Sequence, residues 1–147
     1  MAAAAPPMPL KASKVLELPR LGFDSSLIKF TNVSMESDRC VVVRDSAKIS
    51  IVDVKSKAIT PLTVSVDSAI LNPNSTSNVL ALRGGNTLQI FNLDMKTRMK
   101  THDAGEAVLF WRWLDARTLA YVTASAVYHW SMDADATPEK KFDIDTS

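Results

Sequence analysis

Apolar and polar positions along this chain recur with a fixed period. From Cys40 the run CVVVRDSAKISIVDV gives an apolar stretch, a small or polar turn, then an alternating apolar stretch. The shape returns 39 residues on as VLALRGGNTLQIFNL from Val79, and again after another 39 as TLAYVTASAVYHWSM from Thr118. In this register Ile49, Leu88 and Val127 coincide, as do Ile51, Ile90 and His129. Val52, Phe91 and Trp130 form a third set, and Val54, Leu93 and Met132 a fourth. A period of this size marks stacked supersecondary units. The runs alternate at period two and are rich in Val, Ile, Thr, Phe and Trp, which favours strands over the helices of a three-helix repeat.

Each unit has room for about four short strands. In the second copy the pattern predicts strands over residues 66–73, 78–83 and 87–93, with a shorter one near 96–100. The breakers between them are Asn72-Pro73-Asn74-Ser75 and Gly84-Gly85-Asn86, the second placed like a hairpin loop. In the third copy, residues 107–113, 118–123 and 127–132 repeat the arrangement; the first begins near Leu27. Four strands per unit with a period near 40 is the signature of a β-propeller blade. An up-and-down meander would not demand a 39-residue echo. The expected fold class is therefore all-β, an incomplete β-propeller of about three four-stranded blades. Residues 1–23 read as a leader, low in complexity and then a first strand. Residues 24–65, 66–104 and 105–147 read as blades one, two and three. Three blades do not close a ring, because propellers typically have four to eight. The chain is expected to belong to a longer protein, or else to an oligomer that shares a ring. The 147 residues by themselves would leave an apolar blade face bare at each end, which is the reason for either expectation.

Composition narrows the function classes. The 147 residues are 46 % hydrophobic and 22 % charged, with a formal net charge of +1. That balance offers no bulk attraction for nucleic acid or an anionic membrane. The single cysteine, Cys40, sits in an apolar strand pattern and reads as a small buried hydrophobe. It cannot form a disulfide within the chain, which fits a reducing compartment. The opening MAAAAPPMPLKASK resembles neither a secretory signal nor a mitochondrial presequence. No stretch approaches the ~20 apolar residues of a membrane-spanning helix. The expectation is a soluble cytoplasmic protein.

Catalytic chemistry finds little support. His129 lies in an alternating strand beside Trp130 and reads as structural, and His102 in THDAGE reads as part of a solvated turn. Neither has a second ligand at metal-binding spacing. Asp133, Asp135 and Thr137 echo the start of a calcium loop, but the sixth-position glycine and closing glutamate are missing. Gly84-Gly85 lacks the Lys-Ser/Thr of a phosphate loop. No catalytic residue, metal site or cofactor is expected. One strand stands out. Alternation puts Thr87, Gln89 and Phe91 on one face and Leu88 and Ile90 on the other, with Lys96 and Arg98 beyond. Such a face could take an extended peptide with apolar side chains and an acidic end. On the residues alone the plainer reading is an ordinary blade face, with Phe91 in the core and the two basic residues solvated.

At this strand the sequence resembles the amino-terminal domain of clathrin heavy chains. The segments that carry the resemblance are SMESDR at 34–39, DSAILNP at 67–73, TLQIFNLDMKTRMK at 87–100, FWRW at 110–113 and VYHWSM at 127–132. The resemblance implies the first three blades of a seven-bladed propeller from a non-enzymatic coat protein of pits and vesicles. Such a protein works on the cytoplasmic face of plasma membrane, trans-Golgi network and endosomes, in endocytosis and intracellular protein transport. Its partners would be adaptor and accessory proteins that carry clathrin-box peptides, of the form Leu-apolar-x-apolar-acidic, held between the first two blades. Other clathrin chains would bind only the full-length protein, and the membrane would be reached only through adaptors. Residue by residue, Thr87, Gln89, Phe91, Lys96 and Arg98 match the family's groove, Arg98 replacing a common lysine. Leu80 matches an apolar pocket position. Leu62 and Val64 fall where the family has an arginine and an isoleucine, in a segment that differs. Phe30 matches one member of a second peptide site, incomplete in this chain. The alternative is a WD-like repeat scaffold unrelated to vesicle coats. It would be expected to carry Gly-His and Trp-Asp signatures, where these blades end in Val-Asp-Val, Asn-Leu-Asp and Ser-Met-Asp.

Overall fold

A computed structural model describes residues 9–74 and 78–145. Among them, strands form three four-stranded antiparallel meanders. The first contains β1 (Val33–Ser34), β2 (Cys40–Arg44), β3 (Ile49–Asp53) and β4 (Ile59–Leu62). The second contains β5 (Ser68–Leu71), β6 (Val79–Gly84), β7 (Thr87–Asn92) and β8 (Thr97–Asp103). The third contains β9 (Val108–Asp115), β10 (Thr118–Thr123), β11 (Ala126–Ser131) and β12 (Glu139–Asp143). Strands β2, β6 and β10 begin at Cys40, Val79 and Thr118, 39 residues apart. The sequence period is thus the period of the sheets.

The turns repeat as well. Asp53, Asn92 and Ser131, also 39 apart, each close their third strand by accepting a backbone N–H, from Ser56, Met95 and Asp133 respectively. Lys57 and Lys96, again 39 apart, both take positive φ, +64° and +53°. At the β6–β7 hairpin Gly84 pairs with Thr87, which leaves Gly85 and Asn86 as the loop. Gly85 has φ +58° there, the conformation a two-residue hairpin asks of its first central residue.

Alternation sends each blade's two faces to different neighbours. Cys40, Val42, Ile49 and Ile51 of blade one meet Ala69, Leu71, Leu80 and Leu82 of blade two in one buried cluster. The opposite face of blade two, Ile70, Ala81, Leu88 and Ile90, meets Trp111, Trp113, Leu119, Tyr121 and Trp130 of blade three. Hydrogen bonds fasten both seams. Ser34 Oγ donates to the Ala69 carbonyl at 3.0 Å, and Arg39 Nη1 to Asn78 Oδ1 at 3.0 Å. Across the second seam Trp111 Nε1 donates to Ser68 Oγ at 2.9 Å, Trp113 Nε1 to the Ile70 carbonyl at 3.2 Å and Asn72 Nδ2 to the Ala116 carbonyl at 2.8 Å.

Several expectations change. Residues 9–23 form no strand; they hold a 3-10 turn at Leu18–Leu21, with Pro19 in its first turn and Gly22 (φ +94°) ending it. A second such turn, Ser25–Leu27, replaces the strand expected to start at Leu27, and β1 is only two residues long. The end face of blade one, expected to be bare, is covered. Leu16, Leu18, Phe23 and Leu27 pack over Val41, Val43 and Val54, so the leader covers the outward face of blade one. The expected turn Asn72-Pro73-Asn74-Ser75 has its last residue outside the described residues.

Candidate functional site

The strand pair β7–β8 sets out the residues that the sequence singles out. Along β7, Leu88 and Ile90 are fully buried towards blade three, while Thr87, Gln89 and Phe91 are half-buried on the side of blade one. Directly paired residues on neighbouring strands share a face. Leu80, Phe91 and Arg98 therefore form one row across β6, β7 and β8. Leu82, Gln89 and Thr101 form the next, and Gly84, Thr87 and Asp103 the third. Leu80 is completely buried and floors the first row. From blade one, Leu62 at the end of β4 and Val64 just after it pack on the same cluster as Leu80 and Phe91. Lys96 and Arg98 are both exposed at the β7–β8 turn, and the positive φ of Lys96 is part of that turn's geometry.

The structure thus gathers seven of the eight groove candidates along one seam: Leu62, Val64, Leu80, Thr87, Gln89, Phe91 and Arg98. Lys96 stands exposed at its rim. The seam is polarised. The row at Phe91 ends in the guanidinium of Arg98, and the row at Thr87 ends in the carboxylate of Asp103. The two rows are four residues apart along β7, roughly 13 Å. Chemically this is a seam of packed apolar side chains, with the amide of Gln89 and the hydroxyl of Thr87 half-buried along it and opposite charges at its two ends.

Phe30 lies elsewhere. It is 96 % exposed and sits beside an open cavity of about 600 Å³ bordered by the first strands of all three blades. Charged residues around that cavity include Glu36, Arg44, Asp67, Arg83 and Arg112. Burial raises the pKa of Glu36, and the nearby charge of Arg112 opposes the rise. Phe30 shares none of the first seam's apolar cluster.

His102 corrects the sequence reading. It is the sixth residue of β8, half-buried, with its ring 5.8 Å from that of Trp130 and 6.3 Å from that of Tyr121. The turn begins only after Asp103, so the imidazole belongs to the second seam, where burial lowers its pKa. His129 lies in β11 opposite Ala120, on the outward face of blade three. Asp133 binds the guanidinium of Arg117. Among the described residues no group of three or more His, Cys, Asp or Glu side chains is placed to hold a metal ion.

Sequence reasoning missed what fills the second seam. Trp130 and Tyr121 are each about 1 % exposed, and the Tyr121 ring stacks on Tyr128 at 4.8 Å. Lys100 then closes the seam. Its ammonium donates to the carbonyls of Ser131, Asp133 and Ala136 and lies 5.9 Å from the Trp130 ring. The 39-residue register held the signal. It puts Tyr128 at the place of Gln89, Trp130 at the place of Phe91 and Asp135 at the place of Lys96.

No protein-family model matches the chain. Curated relatives do. Clathrin heavy chain 2 of Homo sapiens is 42 % identical over 146 residues, which is 95 % of this chain and 9 % of the relative. Clathrin heavy chain of Drosophila melanogaster is 41 % identical over 146 residues, 96 % of this chain and 9 % of the relative. Clathrin heavy chain 1 of Arabidopsis thaliana is 42 % identical over 154 residues, 97 % of this chain and 9 % of the relative. The chain therefore spans about a tenth of the length of the relatives it matches. Among solved structures, Hsv2 of Kluyveromyces marxianus superposes with a TM-score of 0.63 at 11 % identity, over 78 % of this chain and 36 % of that one. Hydrazine synthase of Kuenenia stuttgartiensis gives 0.57 at 14 % identity, over 80 % and 36 %. At such identities these two likenesses speak to the fold alone.

Proposed function

Because the chain belongs to the clathrin heavy chain family, we propose that it is a non-enzymatic part of a vesicle coat whose first seam receives short extended peptides. The observation that carries this reading is the polarised seam between blades one and two, where half-buried Thr87, Gln89 and Phe91 run towards the exposed Lys96 and Arg98. An incoming Leu-apolar-x-apolar-acidic segment would lay its apolar side chains against Leu62, Val64, Leu80 and Phe91. Gln89 and Thr87 would hydrogen-bond its backbone or polar groups. Its acidic residue would lie at the Lys96 and Arg98 end, which fixes the direction of the peptide, because Asp103 repels it from the other end. Adaptor and accessory proteins with such motifs are the proposed partners, and the cytoplasmic face of coated pits and vesicles the proposed location. No helix among the described residues is long and apolar enough to cross a membrane; contact with the membrane through adaptors fits that.

A single short peptide offers few anchors, so affinity per site is expected at about 10–100 μM, with avidity supplied by repeated motifs. Titration of a labelled peptide tests the reading. Phe91→Ala should weaken binding about tenfold by removing a pocket wall. Lys96→Glu should weaken it more at low salt than at high salt, because an exposed rim charge is screened. Leu88→Ala, facing blade three, should lower stability and leave the affinity of the folded protein alone. Unchanged affinity for both Phe91→Ala and Lys96→Glu, with the fold intact, would place peptide binding elsewhere.

A further inference from the structure

Arg39, Asn78 and Arg117 are 39 residues apart, and each stands just before the second strand of its blade. Their backbone carbonyls accept the N–H that follows the third strand, from Val54, Leu93 and Met132 respectively, all at 2.8 Å. That bond sets each of them beside the turn between the third and fourth strands. The same register puts Lys55, Asp94 and Asp133 at one place in those turns. In blade three the Arg117 guanidinium binds the Asp133 carboxylate. In blade two the Asn78 amide donates to Asp94 Oδ1 at 2.8 Å. In blade one the turn offers a cation, Lys55, and Arg39 crosses the seam instead, donating to Asn78 Oδ1 at 3.0 Å. A relay thus runs from blade one to the basic turn of blade two: Arg39, Asn78, Asp94.

We infer, resting on the peptide reading of this seam, that Asn78 is a positioning residue: its hold on Asp94 keeps that carboxylate off the basic rim and leaves Lys96 and Arg98 to the acid of a bound peptide. Asp94 lies two residues before Lys96 in the same turn, so their Cα atoms are at most roughly 7 Å apart. A carboxylate that near is an internal rival for the peptide's acidic residue. Yet among the described residues neither Lys96 nor Arg98 takes part in an ion pair. Asp94 is exposed and Asn78 half-buried, so the hold on the carboxylate comes from the seam side. Arg39 occupies the amide oxygen of Asn78, which leaves the Nδ2 end for Asp94 and fixes the way the amide faces. Blade one therefore helps to set the charge that blade two presents.

A double-variant cycle on the full chain, titrated with the labelled peptide, tests this. Asn78→Ala should weaken binding about two- to fivefold, because an exposed ion pair between Asp94 and the rim must then be broken first. The loss should shrink as salt is added. Asp94→Asn removes the rival, so N78A/D94N should bind as D94N does alone. A merely structural Asn78 would cost the same affinity in both backgrounds; that result overturns the inference, as does no loss in either. Side-chain NMR without peptide gives a second readout that does not depend on peptide binding. The Lys96 and Arg98 side-chain signals should shift in N78A and match those of D94N in the double variant. Signals unmoved by N78A overturn the inference even where the peptide binds. Signals that move as expected in a chain that binds no peptide support the relay and sink the peptide reading of the seam.

Discussion

The two seams of this molecule are built from the same strands in the same register, yet one is open and the other sealed. Between blades one and two, β7 offers Thr87, Gln89 and Phe91, all half-buried, beside an exposed basic turn. Between blades two and three, the matching positions of β11 hold Ala126, Tyr128 and Trp130. The larger rings fill the space, and Lys100 is drawn in over them by three carbonyl oxygens. A repeat supplies one groove per pair of blades; side-chain volume at two or three positions decides which of them remains available to a ligand.

The largest expected effect is on the sealed side. Trp130→Ala should cost about 3–5 kcal/mol of stability, because it empties a fully enclosed site. Phe91→Ala, at the equivalent place in the open seam, should cost only roughly 1–2 kcal/mol, since much less of its ring leaves water on folding. Chemical denaturation of the two variants measures the difference directly. Equal losses would mean that the seams are equally packed.

Lys100→Met comes next. The ammonium is partly withdrawn from water, which lowers its pKa, and its removal takes a donor from the Ser131 and Asp133 carbonyls, while the Ala136 carbonyl keeps the indole N–H of Trp130. A loss of about 1–3 kcal/mol is expected. Faster amide exchange at residues 131–136 should accompany it, and β7 should be unaffected.

Alkaline pH gives a third contrast. Burial pushes the phenol of Tyr121 up to about 12, with the neighbouring Tyr128 adding to the rise. An unfolded tyrosine ionises near pH ~10. Stability held by the neutral phenol is therefore complete below about pH 10 and drains away as pH rises towards 12. Denaturation midpoints across this range should fall for the parent chain, and Tyr121→Phe should remove most of that slope.

Smallest is the effect of Lys96→Gly. Glycine adopts the positive φ of this turn without the strain of a side chain, so stability should rise by several tenths of a kcal/mol. The rim nevertheless loses a cation. Peptide affinity should drop slightly while the midpoint rises, a split that separates the residue's two roles.

Much of this was legible in the sequence. The 39-residue echo located β2, β3, β6, β7, β10 and β11, because buried strands must alternate to serve two neighbours at once. The alternation at Thr87–Phe91 also gave the side of β7 on which each residue lies. Three things were not legible. Leu16, Leu18, Phe23 and Leu27 cover blade one from two short 3-10 turns and the loops beside them, too short to carry a period. β8 runs as far as Asp103 because it pairs with all of β7, and that long-range pairing draws His102 out of the turn and against Trp130. The closure of the second seam depends on Lys100 reaching a loop more than 30 residues away, which no local pattern records.

The most direct test of the contrast between the seams is backbone and side-chain NMR of the chain titrated with a Leu-apolar-x-apolar-acidic peptide. The expected result is saturable shifts at Leu62, Val64, Gln89, Phe91, Lys96 and Arg98, with Trp130, Tyr128 and His102 unmoved. Shifts centred on Trp130 and Tyr128, or around Phe30 at the channel cavity, would contradict it.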